Sequence, residues 1–106
     1  MAWLCLVLAG FLEVVWAFYM KQSAGFTKLV PSIITILTMI MSFALLGWSM
    51  KTLPLGTTYA IWTGIGTLGA FALGVLILNE SADPVRIVSA ILILSGLIGM
   101  RLSTGV

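Results

Sequence analysis

The stretch LAGFLEVVWAFYM, residues 8–20, is apolar throughout except for a single carboxylate at Glu13. It belongs to a chain of 106 residues that is 61% hydrophobic and 8% charged. A soluble domain of this size exposes a large share of its residues and cannot bury that much apolar surface. The apolar runs are also long and unbroken, unlike the short alternating segments of a transmembrane β-barrel. These features predict an all-α integral membrane protein.

Charged residues and prolines divide the chain into four apolar segments, which we predict to be membrane-spanning helices. Each segment is long enough to cross a hydrocarbon core of ~30 Å at 1.5 Å per residue. The fourth carries Arg86 and Arg101 so close together that both side chains must extend outward toward water, and a re-entrant segment is the alternative. The predicted helices cover residues 3–20, 31–50, 57–78 and 85–102 of a single transmembrane domain over 1–106.

The basic residues of the loops are almost evenly divided between the two sides of the membrane. Lys51 and Arg101 fall on one side, and Lys21, Lys28 and Arg86 on the other. Basic residues in short loops set orientation, so this balance indicates either weak topology information or insertion in both orientations. Two oppositely oriented copies would form an antiparallel dimer, an inverted repeat made from two chains. Four helices enclose a polar cavity poorly, so we expect an oligomer.

The composition excludes several function classes. The chain has no histidine and one cysteine, so we expect no metal site, no cofactor and no catalytic triad, and hence no enzyme. Cys5 lies in an apolar run and is expected only to pack. The net charge of +2 is spread over the loops without a basic cluster, which argues against nucleic acid as a partner.

Glu13 is the only acid inside a predicted span. A charge at mid-membrane costs at least about 2.5–3.5 kcal/mol, and no lysine or arginine lies in the middle of a span to pair with it. One interpretation is a permanently protonated acid that holds helices together. The other is an exchange site, because low-dielectric surroundings penalise the charged carboxylate and make a proton and a cation compete for it. That competition is the basis of an antiporter, and we favour it.

Polar and aromatic residues on other helices are candidate partners of Glu13. Ser42 lies level with Glu13 in the second helix and is the best candidate to hydrogen-bond the carboxylate, although such hydroxyls often bond their own helix backbone. Tyr59 and Trp62 share a face of the third helix, and aromatic faces attract cations. The alternative for these two is an interfacial aromatic belt.

Small residues mark positions where helices can bend or approach closely. The Gly64–Ile65–Gly66 stretch of the third helix allows bending. Ser95 and Gly99 of the fourth helix have the small-xxx-small spacing that permits tight helix contact. With no embedded acid, the fourth helix is therefore expected to serve packing or dimerisation.

Three motifs carry a resemblance to a known family. They are LEVVWAFYMK at residues 12–21, PLGTTYAIWTGIGTLGA at 54–70 and NESADPVRI at 79–87. With them the chain resembles the small multidrug resistance family of four-helix exporters over essentially its whole length. Trp16 three residues after the acid, Ser42, and TGIG after Trp62 are similar to the guanidinium-exporter subtype rather than to the quaternary-ammonium subtype.

The resemblance implies a specific function for the chain. Members of the subtype are antiparallel, dual-topology homodimers of the bacterial inner membrane that export guanidinium-type cations in exchange for protons. Alternatives within and outside the family are a broader quaternary ammonium exporter, half of a heterodimer, and a structural membrane subunit without transport. Carried over by position, Glu13 would bind proton and substrate. The site would be lined by Trp16, Ser42, Tyr59 and Trp62, of which Trp16 and Ser42 would hydrogen-bond Glu13. Gly64 and Gly66 would form a hinge, and the helix with Ser95 and Gly99 would join the two chains.

Overall fold

The computed structural model describes residues 1–104 and consists of four long helices joined by short connections. Their bounds are α1 (Ala2–Gln22), α2 (Leu29–Ser49), α3 (Leu55–Leu76) and α4 (Pro84–Thr104). Every helix is long and apolar enough to cross a membrane, judged by length and composition, so the predicted four-helix all-α fold is confirmed. Each end lies within two residues of the sequence-based bounds. The predicted domain, 1–106, extends two residues beyond the described part.

Prolines and one asparagine explain where these helices begin and end. Pro31 falls in the first turn of α2, where its missing N–H is not needed. Pro54 has extended backbone and immediately precedes α3. After α3, Asn79 adopts a left-handed conformation with φ of 58°, which asparagine tolerates better than most residues. This turn brings the Glu80 N–H within 2.9 Å of the Gly74 carbonyl.

The helices form a flat bundle in which α1 lies between α2 and α3, and α4 packs against α3. The overall dimensions are 43 × 35 × 16 Å. Glycines allow α1 and α3 to approach closely, because a methyl group at Gly10 would lie 2.7 Å from Cγ2 of Ile65. Val14 packs in the same way over Gly69. This close contact brings the middle of α1 directly against the middle of α3.

Candidate functional site

Glu13 occupies the contact between α1 and α3. Its side chain is half-buried, and its carboxylate packs on Gly66 so closely that any Cβ at position 66 would overlap Oε1. Oε1 itself is buried and has no hydrogen-bond partner among residues 1–104. A buried oxygen without a partner is costly, so this atom is available to take up a proton or to accept a hydrogen bond from a bound cation.

Ser42 has a different partner from the one expected. Its hydroxyl is fully buried and donates to the Ala9 carbonyl at 2.7 Å. It also accepts the indole N–H of Trp62 at 3.0 Å. A hydroxyl has one proton to give, so Ser42 does not donate to Glu13, and the expected hydrogen bond is wrong for this structure. In an α-helix the Ala9 carbonyl also accepts a hydrogen bond from the backbone N–H of Glu13. The Ser42 hydroxyl therefore binds the helical turn that carries the acid.

Trp16 lies one turn after Glu13 on α1, and its ring is half-buried. Its indole nitrogen is buried and, within the described residues, makes no hydrogen bond. The expected bond from Trp16 to Glu13 is therefore also absent here. The structure instead leaves one buried donor, on Trp16, and one buried acceptor, on Glu13, both unsatisfied on neighbouring turns of the same helix.

Aromatic rings connect α1, α2 and α3 beside these groups. Phe43 bridges Trp16 and Trp62, with ring centroids at 6.4 and 5.5 Å. Tyr59 follows at 5.7 Å from Trp62, and 53% of its surface is exposed, whereas Trp62 is buried. The sequence does not single out Phe43, because one more apolar residue in an apolar helix carries little signal. Its position directly after Ser42 was the one available indication.

Of the predicted hinge positions, Gly66 packs against Glu13 and Gly64 faces α4, and the predicted dimer positions lie on α4 itself. Helix α3 is continuous through Gly64 and Gly66. Gly64 contacts Leu97 of α4 at a point where a Cβ would meet the leucine side chain. Ser95 and Gly99 lie on the exposed surface of α4, and no atom of the described structure comes within 4 Å of a Cβ placed at Gly99. Their roles in bending and dimerisation stay predictions.

Four membrane-length helices with one acid inside a span define the chain as a small multi-pass membrane protein built around an intramembrane carboxyl group. Residues 1–93 match the model of the Small Multidrug Resistance protein family. A protein named Guanidinium exporter from Citrobacter freundii is 58% identical over 104 residues, covering 98% of this chain and 99% of its own length. A protein of the same name from Escherichia coli (strain K12) is 56% identical over the same shares. The chain belongs to the Small Multidrug Resistance family.

Family membership confirms the resemblance inferred from the three motifs. It also confirms the predicted location, because the four apolar helices and the enterobacterial relatives identify a multi-pass protein of the bacterial inner membrane. The class of protein is a transporter.

Proposed function

We propose that the protein exports guanidinium and small substituted guanidinium cations across the inner membrane in exchange for protons. The observation that carries this proposal is the buried Oε1 of Glu13, which has no partner among residues 1–104. The relatives from Citrobacter freundii and Escherichia coli bear the name Guanidinium exporter. Glu13 is the shared binding group for both proton and substrate.

The chemistry of the site favours a planar donor over a quaternary ammonium ion. A guanidinium group donates two parallel hydrogen bonds to a carboxylate. A tetra-alkylammonium has no N–H and depends on aromatic and apolar contact. Trp62 and Tyr59 supply an aromatic surface for either cation. Only guanidinium also satisfies the open acceptor on Glu13.

Exchange follows from competition for one carboxyl group. A protonated Glu13 has no negative charge with which to bind a cation, so acidification weakens cation binding and alkalinisation strengthens it. Each substrate that binds therefore displaces protons, and a proton gradient drives export. Ser42, Trp62 and Trp16 hold the walls of the site around the group that exchanges.

The functional unit in this proposal is an antiparallel homodimer. The flat bundle is 16 Å thick and does not enclose Glu13 on all sides. A second copy in the opposite orientation completes the chamber and brings a second Glu13 to it. The pair then releases up to two protons for each monovalent cation. Bending of α3 at Gly64 and Gly66 alternates the opening between the two sides of the membrane.

Currents from reconstituted liposomes test the proposal. Wild-type protein is expected to give substrate-induced currents with guanidinium and phenylguanidinium, smaller currents with tetrapropylammonium, and weaker apparent guanidinium affinity as pH falls. Glu13→Gln keeps the shape of the side chain and removes the exchangeable charge, so all currents are expected to disappear.

Glu80→Gln is the matched control, because Glu80 is an exposed carboxylate outside the helices. It is expected to keep wild-type currents. Currents that survive in Glu13→Gln would overturn the mechanism. A larger response to tetrapropylammonium than to guanidinium would make the protein a quaternary ammonium exporter. No current with any cation would contradict export.

A further inference from the structure

An apolar groove runs along the outside of the bundle between α1, α3 and α4. It has a volume of about 360 Å³ and is lined mainly by aliphatic side chains. On α4 it extends from Leu94 to Leu102, about 12 Å at 1.5 Å per residue. One leaflet of a ~30 Å hydrocarbon core is about 15 Å deep, so the groove covers most of one leaflet. Val7 and Ile98 in its walls are exposed, which opens it sideways to lipid.

A cationic group closes one end of this groove. The guanidinium carbon of Arg101 lies 4.3 Å from the centre of the Trp3 ring. Trp3 also lines a second cavity, shared with Lys51, at the same end of the bundle. Arg101 forms no ion pair within residues 1–104. Glu80 and Asp83 both belong to the α3–α4 connection, at the opposite end.

The part of α4 between its two arginines is short for a membrane span, which brings Arg101 close to the phospholipid headgroups. Arg86 and Arg101 are fifteen residues apart on one helix, about 22 Å along its axis, which is less than the ~30 Å core. A span this short is matched by thinning the bilayer or by extension of its flanking side chains toward the headgroups. Arg86 has a local counter-ion, because it pairs with Asp83 at 3.7 Å. Within residues 1–104 Arg101 has no such carboxylate partner, so it can pair with an anion at the membrane surface.

We propose that this groove binds an anionic phospholipid. One acyl chain lies along the aliphatic wall, and the phosphate pairs with Arg101, whose guanidinium is held in place by Trp3. Arginine suits this role because its planar fork pairs with phosphate through two hydrogen bonds while its face stacks on an aromatic ring. Lys51 adds positive charge on the other side of Trp3 and favours an anionic over a zwitterionic headgroup.

A second copy of the chain is a less suitable occupant. The predicted dimer contacts Ser95 and Gly99 lie roughly 100° further round α4 than the groove residues Leu94 and Ile98. Dimerisation through that face leaves the part of the groove at Leu94 and Ile98 open to the bilayer. In an antiparallel dimer the two grooves face opposite leaflets, so each dimer holds one phospholipid in each leaflet.

Native mass spectrometry of the purified protein tests the inference without any transport measurement. The protein is mixed with equal amounts of phosphatidylglycerol and phosphatidylcholine carrying identical acyl chains. We expect one phosphatidylglycerol retained per chain in preference to phosphatidylcholine, and no displacement by soluble glycerol phosphate. Equal retention of both lipids would overturn the preference for an anionic headgroup. Displacement by glycerol phosphate would show that the site binds phosphate and not a lipid. Retention of a second protein chain on the groove would show that its occupant is a protein partner.

Two pairs of variants locate the binding. Arg101→Gln is expected to weaken phosphatidylglycerol binding roughly fivefold, the effect of one basic residue at an anionic surface, whereas Arg86→Gln leaves it unchanged. Ile98→Trp fills the groove and is expected to lower retention of the acyl chain, whereas Ile91→Trp, one heptad earlier and outside the cavity, has no effect.

Unchanged lipid binding in both Arg101→Gln and Ile98→Trp would refute the groove as the site. Glu13→Gln is expected to bind lipid like wild type, so a failure of the export mechanism and a failure of the lipid site give different results. The lipid preference of the wild-type protein keeps the test decisive if one variant does not fold.

Discussion

The absent side chain at position 66 makes room for the acid at position 13. Gly66 faces Glu13 so closely that a methyl group there would occupy the place of the carboxylate. Gly66→Ala is therefore expected to rotate Glu13 away from α3 and to abolish guanidinium currents while the protein still inserts. Gly47→Ala on α2 is the matched control, because a Cβ there meets no atom within 4 Å. Wild-type currents in Gly66→Ala would show that this position of Glu13 is not the one used in transport.

Ser42 gives a second prediction at the scale of one residue. Ser42→Ala removes the acceptor of the buried Trp62 indole and the donor to Ala9. Leaving buried groups unpaired costs about 1–3 kcal/mol, so thermal unfolding in detergent is expected at lower temperature, and guanidinium affinity is expected to fall as Trp62 shifts. Ser89→Ala, whose exposed hydroxyl bonds its own helix at 2.8 Å, should change neither. Equal stability of the two variants would contradict a structural role for the Ser42 bonds.

Individual side chains were the hardest feature to predict. Glu13 was identifiable because an acid without a partner in an apolar span is chemically costly. Ser42 contacts α1 through the Ala9 carbonyl rather than through Glu13, and its partner depends on the rotation of α2 about its axis. In a helix that is apolar on all sides, the sequence contains little information about that rotation. Phe43 was missed for the same reason.

At the scale of helices, one close contact between α3 and α4 is open to a direct test. Gly64 lies against Leu97, so Gly64→Ala forces the two helices apart and is expected to destabilise the fold by about 1–3 kcal/mol, as overpacking does. Leu97→Ala makes space for the added methyl group. The double variant is therefore expected to lose less stability than the sum of the single losses in a double-mutant cycle.

Thermal unfolding of all four proteins in one detergent provides the measurement. Additive losses would show that Gly64 and Leu97 do not contact each other in the folded protein. Gly96→Ala on the exposed surface of α4 is the control for a glycine substitution without contact.

The existence and length of the helices were predictable, because a run of about 20 apolar residues has few alternatives in a membrane. Their ends shifted by up to two residues, since capping by Pro54 and the left-handed turn at Asn79 depend on local backbone geometry. Which helices become neighbours was not predictable, because membrane helices lack the single apolar stripe that identifies a packing face in water.

A bundle 16 Å thick does not enclose Glu13 by itself. At the scale of the whole molecule, the properties to test are therefore the orientation of the chain in the membrane and its pairing with a second copy. In a Cys5→Ala background, a cysteine at exposed Thr52 is expected to react with a membrane-impermeant maleimide from both sides in similar amounts. The reason is the near-equal number of basic residues on the two sides. Adding Ser81→Lys on the more basic side is expected to shift labelling toward the outside, because that end is then retained in the cytoplasm. Labelling from one side alone in the Cys5→Ala, Thr52→Cys protein would exclude dual topology.

The hydroxyl of Ser42 joins three helices at one atom, receiving from α3 and giving to α1. This arrangement determines how freely the position can vary. Alanine and glycine lack both functions, cysteine performs both weakly, and asparagine is too large for a site with no exposed surface. Among residues of similar size, threonine alone keeps the hydroxyl, and it adds one methyl group to a filled space. In a library of random substitutions, this small residue should therefore rank among the least replaceable in the chain.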